Sequence, residues 1–180
     1  MSIPALILAS NSPAQSVTIP FIGAFTLNQT YSPIEAKYSM RTGNGSLVTR
    51  VAWVGKLSTT ISGQGVVPPG LSLLDYSVPL TMSCVGQRAI TVATATTVQV
   101  VLPAARRTDV VPFARAILAD DVWVPTAMSI ATNTATVTKV TDALFYQVMY
   151  YPKLTVMCVP PEENWTEDAY FNWTLTAQEI

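Results

Sequence analysis

At 180 residues, the chain is long enough for one domain with its own core, since single domains commonly run to about 100–200 residues. Hydrophobic residues make up 49% of it and charged residues only 12%, against roughly 25% charged in ordinary soluble domains. A net charge of −1, with ten Lys and Arg, excludes the electrostatic footprint of a nucleic-acid binder, and no run of about 18 apolar residues is present to make a membrane-spanning helix.

A surface so poor in charge must be built from Thr, Ser, Ala, Asn and Gln. Two situations produce one: a lipid environment, or outer faces covered by copies of the chain or by neighbouring proteins. The opening MSIPALILASNSP lacks the basic start and long apolar run of a signal peptide. Membrane insertion is therefore not expected, and assembly is. The whole chain, 1–180, reads as a single β-rich domain.

Nothing before Glu35 carries a side-chain charge. A solvated arm is rich in charge and poor in bulky apolar groups, so this uncharged segment, about 1–33, must be covered. Within it Ser16 to Leu27 reads as a strand broken at Pro20, which points to an edge or a bulge. An uncharged edge is one that a second chain can join. Next, Ala36 to Met40 and Leu47 to Leu57 flank RTGNGS, whose Gly-Asn-Gly tolerates positive φ, so a hairpin is expected. Leu47, Val51, Trp53 and Leu57 fall on one side of its second strand, opposite Arg50 and Lys56, which predicts one buried and one polar face.

From Thr59 to Leu74, Gly63, Gly65 and the Pro68-Pro69-Gly70 turn predict a loop. Its GQG has neither the glycine spacing nor the lysine of a phosphate-binding loop, and a turn or assembly loop is the better reading. Val78 to Val85 is a strand-length run. Arg88 to Leu102 alternates with a period of two, with Ile90, Val92, Val98, Val100 and Leu102 on one side. That pattern predicts a strand, or two strands meeting near Thr94 to Thr97, at the centre of a sheet.

Beyond Arg106 and Arg107, Asp109 can cap a short helix in which Val110, Phe113 or Ala114, and Ile117 share a face; two short strands with Pro112 at an edge is the competing reading. Val122 to Val124, Ala127 to Ala131 and Thr134 to Val140 read as strands, the last two joined by Thr132-Asn133. Leu144 to Tyr151 carries large groups on both sides, so both of its faces should be covered. Leu154 to Val159 is a further strand. PPEENWTED reads as an exposed acidic loop, and Ala169 to Thr176 as a closing strand. The fold class expected is all-β, an antiparallel sandwich or barrel-like domain with at most one short helix and no repeat of solenoid or propeller period.

Candidate chemistry is thin. Histidine is absent, which removes the Ser-His-Asp and Cys-His arrangements. Cys84 and Cys158 lie in apolar runs without an activating base and read as buried reduced thiols. Asp120-Asp121 and Glu162-Glu163 are adjacent pairs, and neighbours on a strand point opposite ways, so neither pair forms a dyad; a combination across the fold, such as Asp121 with Glu163, stays open. Glu162 to Asp168 has carboxylates but not the spacing of a calcium loop. No catalytic residue, cofactor or metal is expected. The sequons at Asn28, Asn44, Asn164 and Asn172 carry no weight without a secretory route.

Aromatics gather in the second half, at Trp123, Tyr150, Tyr151, Trp165, Tyr170 and Trp173. In strands they are more often core than platform, and only Trp165 sits in a stretch expected to be exposed. It is the candidate ligand or receptor contact if the chain is instead a receptor- or carbohydrate-binding module of a virion or cell surface, the one reading with a host-surface glycan as partner.

GQGVVPPGLSLLDYSVPLTMSC and the uncharged start through Pro33 resemble structural proteins of bacteriophage virions, particularly tail and baseplate components. That resemblance implies a non-enzymatic structural subunit, located in the virion, that assembles into a symmetric oligomer with copies of itself and other virion proteins. The expected subunit contacts are Ile19, Phe21, Ile22 and Phe25 near the start, and Val66, Val67 and Leu71 in the glycine-rich stretch.

Overall fold

The computed structural model describes residues 4–11, 13–19, 23–94 and 97–180, and of Asp120 the backbone alone. The fold is all-β. In chain order the strands are β1 (Ile7–Asn11), β2 (Ala14–Thr18), β3 (Thr26–Arg41), β4 (Leu47–Gly65), β5 (Leu80–Ser83), β6 (Arg88–Ala93), β7 (Val98–Val101) and β8 (Phe113–Ile117). There follow β9 (Trp123–Thr126), β10 (Met128–Ala131), β11 (Thr134–Val137), β12 (Phe145–Tyr150), β13 (Lys153–Cys158), β14 (Glu162–Trp165) and β15 (Phe171–Glu179). Single 3-10 turns lie at Leu71–Leu73 and Ala119–Asp121.

The chain divides into two compact units, one of Met1–Leu6 with Ser83–Leu154, the other of Ile7–Met82 with Thr155–Ile180. In the first, a three-stranded sheet (β10-β11-β7) and a four-stranded sheet (β6-β12-β8-β9) share one core. Strand alternation builds that core. Val98, Val100 and Leu102 meet Ala114, Ala116, Tyr146 and Val148, with Ile90 and Val92 packed against them. Arg88 to Leu102 is thus the pair of strands, with the inward phase its alternation predicts. Its place differs from expectation: β6 and β7 are edge strands of different sheets. The centre of the four-stranded sheet falls instead to β12 and β8.

The segment after Asp109 is strand β8 and not a helix. Pro112 has no N–H to give a helical turn and drives the preceding Val111 towards extended backbone, while Ala114 and Ala116 alternate inwards. Asp109 accepts hydrogen bonds from Arg107 in place of the capping role. In the β10–β11 hairpin, Thr132 holds φ at 56°, a left-handed conformation that costs an L-residue about 1–2 kcal/mol. Its side chain is exposed, and its carbonyl still accepts from Arg106 whatever the side chain. Thr132→Gly should therefore stabilise the protein, by about 0.5–1 kcal/mol once the greater freedom of unfolded glycine is set against the relief of strain. Chemical denaturation would check this, and an unchanged or lower midpoint would refute it.

The second unit is built on the eight-stranded sheet, in the order β2-β1-β5-β13-β15-β4-β3 with β14 beside β15. Leu175 lies opposite Ile61, Trp173 opposite Gly63 and Ala177 opposite Thr59, all facing inwards, while Ser58, Thr60, Ser62 and Gln64 alternate to the other face. Thr59 is a buried hydroxyl that donates to the Thr30 carbonyl at 2.8 Å and accepts from the Gln29 amide at 3.0 Å, so its polarity is matched. Thr59 to Gly65 is therefore the inner half of a long strand and not part of a loop; the loop begins at Val66. Ser16 to Leu27 likewise divides between the end of β2 and the start of β3.

Candidate assembly interface

Beyond Ile34 and Lys56, β3 and β4 leave the rest of the sheet and continue as a two-stranded arm. The hydrogen-bonded pairing of β4 with β15 stops at Ser58, whereas pairing of β3 with β4 runs on through Ala36↔Trp53, Tyr38↔Arg50 and Met40↔Val48 to Arg41↔Leu47. Register shifts around Ala36 mark where the arm departs, and Gly55 there takes φ 86°, which few other residues tolerate. The tip is closed by Thr42, whose N–H donates to the Ser46 carbonyl at 2.9 Å, and by Arg41 Nη1 donating to Gly45 at 2.8 Å. Its base is held by Glu179, which accepts from the Leu57 N–H at 3.0 Å, and by Lys56 Nζ donating to the Ile180 carbonyl at 2.5 Å.

The arm's side chains are unusual for such a position. Tyr38, Met40, Leu47, Val48, Val51, Trp53 and Val54 are each between 42% and 64% exposed. The one-sided burial expected from the alternation of Leu47, Val51, Trp53 and Leu57 is not there: Leu57 alone is buried, because no other layer covers the other three. A two-stranded ribbon is marginal by itself in water, and this one exposes apolar groups on both faces, Tyr38, Met40 and Val48 on one and Leu47 and Val51 on the other, which makes it the candidate contact site.

The residues expected at subunit contacts separate into groups. Ile19 and Leu71 are buried, so their side chains are already covered; Leu6, Leu8 and Val17 are buried too. The inward residues of β1 and β2 are thus covered by the chain itself, while Ala14, Ser16 and Thr18 of β2 and Thr26, Asn28, Thr30 and Ser32 of β3 are exposed. Phe21 and Ile22 lie outside the described residues. Phe25 and Val66 are exposed and Val67 is half-buried. The Phe25 N–H donates to the Gln64 carbonyl at 2.6 Å, which sets Phe25 and Val66 at the same end of the sheet.

That end also carries Trp165. It is 59% exposed, on strand β14 and not in a loop, and pairs with Phe171, which in turn pairs with Gly65. The turn beyond it holds Ala169 in the left-handed region and presents Glu167 and Asp168, with Glu162 and Glu163 alongside on β14, all exposed. Of the other aromatics, Tyr170 is exposed, while Tyr150, Tyr151 and Trp173 are buried. Trp123 lies on the first unit with the Arg115 guanidinium 4.3 Å from its ring centre.

Two groups that could act chemically are held in their neutral forms by burial. Burial pushes the Cys158 thiol up to about 12, so it is neutral at pH 7 and a poor nucleophile. Neither cysteine is in a disulfide. Burial, then the charges of Cys158 and Glu163, push the Tyr76 hydroxyl up to about 12; it donates to the Leu71 carbonyl at 2.8 Å. Asp121 and Glu163 fall in different units. No three His, Cys, Asp or Glu come together as metal ligands among the described residues. An open groove of about 350 Å³ crosses β3, β4 and β15, lined on its polar side by Thr26, Asn28, Gln64 and Asn172. Comparison with protein-family models, curated proteins and solved structures gives no match.

Proposed function

We propose that the chain is a non-enzymatic structural subunit of a viral particle, of the kind that builds bacteriophage tails and baseplates, and that it forms a symmetric oligomer. The observation that supports this most is the β3–β4 arm, whose exposed apolar side chains are left wet in a single copy. Covering each from half exposure is worth roughly 1 kcal/mol, enough in sum to drive association, and obligate assemblies use apolar contacts of this kind. The low share of charged residues fits the same reading.

Replacing residues 36–53 with Asn-Gly, a two-residue turn that a hairpin accepts, tests it by analytical ultracentrifugation. The wild type should sediment as a discrete oligomer and the shortened chain as a monomer that still unfolds cooperatively. A wild type that stays monomeric at tens of micromolar, or an oligomer indifferent to loss of the arm, overturns the proposal. Exposed Trp165 supports a second reading, a glycan- or receptor-binding module; a monomer whose glycan-array signal vanishes on Trp165→Ala would establish that one.

A further inference from the structure

The second unit has unlike ends. On the arm stand Lys37, Arg41 and Arg50 against the acid Glu35, which lies 3.8 Å from Lys37, while Lys56 and Glu179 both stand at its base. Towards the opposite end of the same strands the β14–β15 hairpin gathers Glu162 and Glu163, level with Ser62 and Gly63, and Glu167 and Asp168 beyond the Gly65↔Phe171 pair, with no base from Leu154 to Ile180. Both ends also expose apolar groups: the arm's aliphatic and aromatic side chains, and Phe25, Val66, Trp165 and Tyr170.

We infer that the arm of one copy docks on the acidic β14–β15 end of a second copy, head to tail. The inference rests on the assembly reading above and names the surface that receives the arm. A basic apolar arm facing its own kind, as a two-fold contact would require, sets like charges together, whereas the acidic end offers opposite charge and apolar area at once. A contact between two different patches of one chain is heterologous, and it generates a closed ring or an open filament depending on the rotation between copies.

Lys37→Glu with Arg50→Glu should abolish the oligomer, and Glu162→Lys with Glu167→Lys should do the same; each pair should weaken association at least tenfold at low salt. All four side chains are exposed, so melting curves should stay close to wild type. Mixing the two variants in equal amounts should restore assembly, because each supplies the charge the other now needs. If the acidic-end variant assembles like wild type while the basic-arm variant does not, the arm docks elsewhere and the head-to-tail inference falls, with the assembly reading intact. A wild-type chain that is monomeric removes both.

Discussion

Replacing Arg107 with alanine should lower the free energy of unfolding by about 2–5 kcal/mol, because buried carbonyls lose their donor at about 1–3 kcal/mol each and the stem leaves a cavity. The guanidinium is 2% exposed and uses its whole fork. Nη1 donates to the carbonyls of Ala5 at 2.8 Å and Cys84 at 3.0 Å, with Ser83 at 3.4 Å, while Nε and Nη2 hold the two oxygens of Asp109 at 3.1 and 2.6 Å. One side chain thereby ties the segment before Leu6 to the entry of β6 and to its own loop. Asp109 is about half exposed and recovers hydration when the arginine is lost, so most of the cost falls on the carbonyls and the cavity. Arg107→Met retains much of the stem volume and should still lose most of that stability. Arg107→Lys should recover only part, since an ammonium cannot reproduce the planar fork. Urea denaturation read by near-ultraviolet circular dichroism would decide: a loss under about 1 kcal/mol in the alanine variant, the level of an exposed pair, would mean that the contacts do not hold the unit together.

The same pair sets an acid dependence. Hydrogen bonds from Arg107, then its charge, hold the Asp109 carboxyl below the ordinary aspartate range, against an opposing effect of burial. A depressed carboxylate stabilises the fold at pH above its unfolded value, roughly 3.9, and that contribution disappears as pH falls through the lower folded value. The stability gap between wild type and Asp109→Asn should accordingly be flat above about pH 5 and close below about pH 4.

Period-two alternation carried most of the strands, because a side chain's face on a strand depends only on parity. Ile90 and Val98 point inwards as their spacing requires, and the β10–β11 hairpin follows from Thr132-Asn133. Parity does not say what covers a face. Leu47, Val51 and Trp53 alternate like core residues, yet remain exposed, since an apolar stripe buried by a partner and one buried by its own chain look alike in a linear pattern. Nor does it say which strands become neighbours, so Arg88 to Leu102 gave its phase but not its edge position. Arg107 is a third kind of case. Arg106 and Arg107 are adjacent and equally charged, and only the meeting of Ala5, Cys84 and Tyr151 around one of them makes it the buried one. The acidic end was legible as charge, but its opposition to the arm along one pair of strands depends on β15 pairing with β4.

Gly63 shows the same dependence at a single atom and carries the second large effect. It lies opposite Trp173 in the β4–β15 ladder, where the indole folds over it: a Cβ on Gly63 would fall 2.5 Å from Cζ2 and 2.7 Å from Cε2 of Trp173. The ring has little room to retreat, being 2% exposed and fixed by its Nε1, which donates to the Gly23 carbonyl at 3.0 Å. Gly63→Ala must therefore displace a rigid group, at about 1–3 kcal/mol for overpacking, and strain or break a buried hydrogen bond, at about 1–3 kcal/mol more. Against this, the reduced freedom of the unfolded alanine variant returns only about 0.4–1 kcal/mol. A net loss of about 2–4 kcal/mol is expected in urea denaturation. Trp173→Ala by itself should cost about 3–5 kcal/mol through the cavity it leaves. If the indole is the reason for the glycine, Gly63→Ala should become nearly neutral in the Trp173→Ala background, giving a coupling of about 2–3 kcal/mol in the double-mutant cycle. Equal losses in the two backgrounds would place the requirement for glycine in the backbone of β4 instead of in the contact across the ladder.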